Sequence, residues 1–83
     1  MFVKLKDQST LNLAVANHIY VVEDFQDGTK AVIFAEFPGV EKRFVVFGAP
    51  LNEAKDGLQA VKNTYLRITA NIEAGARFMD LNK

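Results

Sequence analysis

The sequence predicts an α+β domain: an antiparallel meander of four to five strands, followed by one long C-terminal helix packed on one face of the sheet. Two observations support this prediction. Up to residue 47, short runs rich in β-branched and aromatic residues alternate with polar turns. From about residue 50 onward, apolar residues recur every three or four positions, as on one side of a helix. We treat residues 1–83 as one domain, because domains contain roughly 50–250 residues.

The first half of the chain supplies the strands. MFVKLK and LNL predict two short strands, and NHIYVVEDF predicts a longer one. Asp27-Gly28 is typical of a tight hairpin turn, and the strand after it runs from about Lys30 to Phe37. Pro38-Gly39 ends that strand, and the last strand covers about 42–47.

The second half predicts one helix from about Pro50 to at least Arg77, because proline suits the first turn of a helix. Gly57 and Gly75 each weaken this helix by about 1 kcal/mol relative to alanine. Such a helix is ~45 Å long, about twice the length of the strands, so its second half is expected to reach a neighbouring chain. Its apolar stripe has a heptad spacing and consists of Leu51, Ala54, Leu58, Val61, Tyr65, Ile68, Ile72 and Met79.

Turn chemistry predicts the strand register. A two-residue loop at Asp27-Gly28 places Val22 opposite Ile33, and a longer second loop places Phe34 opposite Phe44. The hairpins then have two apolar faces, of which one helix can cover only one. The helix is assigned to the face with His18, Tyr20, Val22, Ala31, Ile33, Ala35, Phe37, Val45 and Phe47. The uncovered face holds Ile19, Val21, Val32, Phe34, Phe44 and Val46.

The uncovered face predicts a protein interface, because an apolar centre with a charged rim is the usual anatomy of one. Symmetric dimers are the commonest assembly, so we expect a homodimer or higher oligomer, with another protein as a further partner. The predicted function is therefore a small oligomeric interaction or adaptor protein. The predicted interface residues are Ile19, Val21, Val32, Phe34, Phe44, Val46, Leu66, Ile72, Phe78 and Met79.

Composition limits the chemistry. The chain has no cysteine, which excludes disulfides, thiolate catalysis and cysteine-type zinc sites. His18 is the single histidine and Ser9 the single serine, so we expect no enzyme, no cofactor and no metal. No apolar run reaches the ~20 residues of a membrane span, and the N-terminus has no signal-peptide pattern. We therefore expect a cytoplasmic protein that does not bind membranes, as is common for small bacterial and phage proteins.

Two alternative functions stay open. The order of four strands and a helix is similar to dimeric single-strand-binding modules of the positive cofactor 4 and PUR type, which stack bases on exposed aromatic residues. The contacts that this resemblance implies are Lys30, Phe34, Lys42, Arg43 and Phe44. A formal net charge of zero makes nucleic acid the weaker expectation. The second alternative is a small-ligand binder with a groove beside His18 and Tyr20.

Overall fold

The computed structural model describes residues 1–51 and 56–83 and has an α+β fold with a long C-terminal helix. Its strands form two sheets of three strands each. In chain order the elements are β1 (Phe2–Lys4), β2 (Thr10–Asn12), the 3-10 helix η1 (Leu13–Val15), β3 (His18–Asp24), the short helical segment α1 (Phe25–Gly28), β4 (Lys30–Glu36), β5 (Phe44–Pro50), α2 (Asp56–Glu73) and β6 (Phe78–Asp80).

The prediction of one continuous meander is wrong. Strands β3, β4 and β5 form an antiparallel meander sheet, while β2, β1 and β6 form a separate small sheet. In the small sheet, β1 is antiparallel to β2 and parallel to β6, which pairs Val3 with Met79. The last strand therefore comes from a segment that the heptad pattern assigns to the helix.

The helix is shorter than predicted. Pro50 is the last residue of β5 and not part of a helix, and α2 ends at Glu73. Gly75 has a φ of +77°, its N–H donates to the Ile72 carbonyl, and the Ala76 N–H donates to the Asn71 carbonyl. This pair of hydrogen bonds is a Schellman motif, in which a glycine with positive φ ends a helix.

After that motif the chain reverses direction, so the predicted overhang toward a neighbouring chain does not exist. The 18 residues of α2 span about 27 Å, close to the length of the meander strands. Ala54 of the predicted stripe lies outside the described residues.

The register of the first hairpin differs from the prediction by one residue. Tyr20 pairs with Phe34 and Val22 pairs with Val32. Gln26 and Asp27 in the turn have positive φ, but the Phe25–Lys30 bridge beside the turn keeps the predicted register. The shift arises between this bridge and the Val22–Val32 pair, because β3 has two residues there and β4 has only Ala31. Since side chains alternate along a strand, a shift of one residue exchanges the two faces of β3.

The second hairpin is also shifted. Phe34 pairs with Val45 instead of Phe44, and a bulge interrupts the register between Ile33 and Phe34. Strand β5 continues three residues beyond the predicted end, to Pro50. Proline is tolerated there because β5 is an edge strand.

The core lies between the meander sheet, α2 and the inner side of the small sheet. Ala31, Ile33 and Ala35 of β4 are fully buried against this core. Val61 and Ile68 of α2 are also fully buried, which confirms that part of the heptad stripe. Because of the register shift, the core face of β3 holds not Tyr20 and Val22 but Ile19 and Val21.

The C-terminal residues are fastened to the start of the chain. The side-chain amide of Asn82 donates to the Leu5 carbonyl at 2.9 Å, and its backbone N–H donates to the Asp80 carboxylate at 2.8 Å. Hydrogen bonds from Asn82 hold the pKa of Asp80 below its ordinary value, and Ser9 lowers the pKa of Asp7 in the same way. Both turns therefore favour the charged carboxylate.

Gly57 lies where α2 approaches the end of β5. A Cβ atom at this position would overlap the Pro50 carbonyl oxygen. The missing side chain therefore allows the first turn of α2 to lie against the β5 backbone.

The C-terminal strand offers a test of the fold. Met79→Ala should lower the free energy of unfolding by about 2–5 kcal/mol, because Met79 is buried in the chain's own core. Phe78→Ala is the matched control, since its half-exposed side chain points to the other face and should cost at most about 1 kcal/mol. Urea denaturation measures both losses. A larger loss for Phe78→Ala would contradict this placement of β6.

Gly57 offers a second test. Helix propensity alone predicts that Gly57→Ala stabilises the protein by about 1 kcal/mol. We expect the opposite, a loss of about 1–3 kcal/mol, because the new Cβ meets rigid backbone at Pro50. Ala60→Gly, on the exposed side of α2, should cost about 1 kcal/mol and shows the propensity effect alone. A more stable Gly57→Ala protein would contradict the close approach.

Candidate interaction surfaces

A cluster of the chain's own side chains covers Phe34 on the outer face of the meander sheet. Phe34 lies at the centre and is only 3 % exposed. The Phe25 ring meets it edge-on at 5.2 Å between centroids, and the Tyr20 ring lies at 6.0 Å. The Arg43 guanidinium lies 3.9 Å from the Phe34 centroid. We call Tyr20, Phe25, Phe34 and Arg43 the aromatic cluster. It covers Phe34, whereas Val45, which pairs with Phe34 on the same face, stays half-exposed.

Polar contacts hold the aromatic cluster in place. The Tyr20 hydroxyl donates to Glu36 Oε2 at 2.7 Å, and Arg43 Nη1 donates to that hydroxyl at 3.2 Å. His18 stacks beside Tyr20 at 4.4 Å, and its Nδ1 lies 3.7 Å from Glu36 Oε1. The His18 and Glu36 side chains are both solvent-exposed. The contacts therefore orient Arg43 over Phe34, at the surface and not inside a cavity.

An apolar groove lies beside η1 and the loop that follows β4. Its volume is about 460 Å³ and it is open to solvent. Val15 and Val40 are 58 % and 47 % exposed. The Phe37 and Phe44 rings meet edge-on at 5.5 Å. The lining residues, which define the apolar groove, are Leu11, Val15, Phe37, Pro38, Val40 and Phe44.

Two local turns build the apolar groove. The Asn12 side chain accepts a hydrogen bond from the Ala14 N–H and caps η1, which buries Leu13 and leaves Val15 exposed. On the other side, the Val40 N–H donates to the Phe37 carbonyl at 3.2 Å, and Gly39 has a φ of +76°. A proline followed by a glycine with positive φ is the signature of a type II turn.

Sequence reasoning missed the apolar groove. Leu11 and Val15 are about 25 residues from Phe37 and Val40 in the chain, so no local pattern joins them. The available signal was an exposed valine next to a Pro-Gly turn, where a polar residue is usual.

Within the part of the chain that the structure describes, neither His18 nor Tyr20 lines the apolar groove or the groove described next. A further groove, of about 490 Å³, lies on the outer face of the meander sheet. Its lining residues are Phe25, Lys30, Val32, Val45, Gly48, Ala49 and Pro50. The alternative of a small ligand beside His18 therefore has no cavity to support it among these grooves.

The ten residues predicted as one interface do not share a surface. Four pack in or against the chain's own core: Ile19, Val21, Val46 and Met79. Val32 and Phe34 are buried on the outer face, and Phe44 lines the apolar groove. Three are exposed: Leu66, Ile72 and Phe78. Association through these residues stays a prediction, but the apolar face that grouped Ile19 and Val21 with Phe34 was wrong.

The residues implied by the single-strand-binding resemblance are also divided. Arg43 and Phe25 occupy positions against the Phe34 ring that a stacked base would need. Lys30 lines the outer-face groove, whereas Phe44 lines the apolar groove. Lys42 Nζ lies 6.0 Å from the centroid of the Phe44 ring. The five side chains therefore do not present free aromatic rings along one basic surface.

Residues 1–51 and 56–83 contain no cluster of three or more His, Cys, Asp or Glu side chains that could hold a metal ion. In the same ranges, no helix combines the length and apolar character needed to cross a membrane. Comparison with protein-family models, with curated proteins and with solved structures finds no match to this chain.

Proposed function

We propose that this protein is an interaction or adaptor module that binds an apolar segment of another protein in the apolar groove. The supporting observation is the groove itself, which is lined by six apolar residues and has two half-exposed valines at its rim. Exposed apolar patches on small proteins usually mark interaction sites.

The chemistry of the lining favours binding over catalysis. None of the six lining side chains can ionise, accept a proton or act as a nucleophile. What the groove offers a partner is apolar area, at about 25 cal/mol for each Å² removed from water. Because the groove is open, it suits side chains that project from a protein segment better than a small molecule, which needs to be mostly enclosed.

The walls of the apolar groove are already formed before binding. The Pro38-Gly39 turn fixes Val40, and the capped η1 fixes Val15. A site that does not need to be ordered on binding loses less entropy when a partner docks. Two or three bulky apolar side chains of one segment would fit the volume of about 460 Å³.

Selection from a library of random displayed peptides tests this function. We expect the selected peptides to share two or more bulky apolar residues. Val40→Asp should weaken their binding at least tenfold, because it places an unpaired charge against the bound apolar side chains. Val45→Asp is the matched control, since Val45 is similarly exposed, at 52 %, but lies outside the apolar groove.

The control should change the affinity less than twofold, as measured by fluorescence anisotropy with one selected peptide. Peptides without apolar anchors, or equal losses for Val40→Asp and Val45→Asp, would contradict the proposed function. Circular dichroism of both variants verifies that the fold is retained.

Fluorescence anisotropy also tests the alternative of nucleic-acid binding. We expect affinity for a labelled single-stranded oligonucleotide no tighter than about 100 µM at physiological salt, because the net charge is zero and Phe34 is covered. Titrations at low and moderate salt measure it. Submicromolar binding that weakens steeply with salt would favour the single-strand-binding alternative.

A further inference from the structure

The meander sheet has two edges, and they differ. Strand β5 is interrupted by a bulge and contains Pro50, two features that discourage pairing with another strand. Strand β3 has the sequence HIYVVED, and its register with β4 is regular from His18 to Val22. A regular edge strand rich in β-branched residues is a template for a further strand.

The hydrogen-bond pattern shows which backbone groups of β3 point away from β4. The Leu51 N–H donates to the Thr29 carbonyl, so these two residues are a hydrogen-bonded pair. Bonding alternates along an antiparallel ladder, so Ala31 and Ile33 also bond to β5. The backbone N–H and C=O of Val32, which lies between Ala31 and Ile33, must therefore form their hydrogen bonds with β3.

Val32 pairs with Val22, and Phe34 pairs with Tyr20. By the same alternation, the backbone groups of Ile19, Val21 and Glu23 point away from β4. The Tyr65 hydroxyl of α2 donates a hydrogen bond to the Ile19 carbonyl at 3.4 Å. This bond is consistent with an Ile19 carbonyl that points away from β4.

We propose that β3 pairs antiparallel with β3 of a second copy of this chain, so that two meander sheets join into one sheet of six strands. The two-fold axis passes through Val21, the middle residue of the seven in β3. In this register the two strands overlap along their whole length. The outward-pointing groups of Val21 face those of Val21 in the other copy, and the outward-pointing groups of Ile19 face those of Glu23 in the other copy. We call this contact the β3–β3 pair. It is separate from the apolar groove.

The side chains that face each other in the β3–β3 pair are compatible in polarity and shape. His18 lies opposite Asp24 of the second copy, and Tyr20 lies opposite Val22. Aromatic residues opposite β-branched ones stabilise antiparallel pairs, and this register places no like charges opposite each other. A shift of one residue would place outward-pointing groups opposite inward-pointing ones, so the backbone pattern excludes it.

The side of α2 above β3 also presents apolar surface. Lys62 Nζ lies 3.6 Å from Glu23 Oε2, and the Tyr65 hydroxyl reaches Ile19, so this side of α2 overlies the edge. Leu66 lies one helical turn beyond Lys62 on the same side and is 62 % exposed. Leu66 therefore faces the space above the β3–β3 pair.

Sedimentation velocity over a wide concentration range tests the pairing. We expect the wild-type mass to approach twice 9.2 kDa in the micromolar range, since one strand pair is a small interface. Val21→Pro should weaken dimerisation at least tenfold, because it removes the Val21 N–H on both copies without removing a bond to β4. Val21→Ala is the matched control: it shortens the same side chain, keeps the N–H and should weaken dimerisation less than threefold.

Amide hydrogen exchange keeps the proposal testable if Val21→Pro does not fold. On dilution of the wild-type protein, the amides of Ile19, Val21 and Glu23 should lose protection before those of Tyr20 and Val22. A wild-type protein that stays monomeric would overturn the proposal. So would a dimer that survives Val21→Pro but dissociates with Val40→Asp, since that result places the contact in the apolar groove. Loss of peptide binding with an intact dimer would leave the β3–β3 pair standing.

Discussion

The burial of β4 on both of its faces is the constraint on which the rest of this structure depends. All five residues from Ala31 to Ala35 are buried. On the inner face, the small Ala31 and Ala35 allow α2 to approach closely, with Ile33 between them. On the outer face, Val32 and Phe34 would be exposed in a bare three-stranded sheet. Phe25 and Arg43 cover Phe34, with an edge-on ring contact and a cation–π contact worth about 0.5–2 kcal/mol each.

The cover over Phe34 applies to one part of the outer face only, because a groove beside Val32 and Val45 stays open on the same face. The two surfaces proposed for association lie elsewhere. The apolar groove lies beside η1, where Val15 and Val40 remain exposed. The open edge lies along β3, below α2. The two proposed surfaces do not share a residue, so the two proposals can be tested separately.

Local patterns predicted the elements better than their arrangement. The alternation in MFVKLK and the apolar spacing of Val61 and Ile68 identified β1 and part of α2, because each depends on neighbouring residues only. The prediction for the first hairpin failed because β3 has one more residue than β4 between the Val22–Val32 pair and the Phe25–Lys30 bridge. That single residue exchanged the faces of β3 and created the expectation of a large uncovered surface.

The small sheet could not be derived from local patterns. Phe78–Asp80 is three residues long, and its parallel partner β1 lies more than 70 residues earlier. Met79 also fits the heptad spacing, so periodicity alone continued the helix through it. Gly75, the residue that ends α2, was visible as a weak point but not as a Schellman motif. The apolar groove joins segments about 25 residues apart, which no local pattern connects, and was missed for the same reason.

Arg43 and Phe25 cover Phe34 from within the same chain, and this contact can be measured. Isotope-filtered nuclear Overhauser spectroscopy on a mixture of labelled and unlabelled protein tests it directly, because it separates contacts within a chain from contacts between chains. The account predicts that the Phe34 ring protons contact the Arg43 side chain and the Phe25 ring within one chain, and that these contacts persist on dilution. Phe34 contacts that arise between chains and disappear on dilution would contradict it.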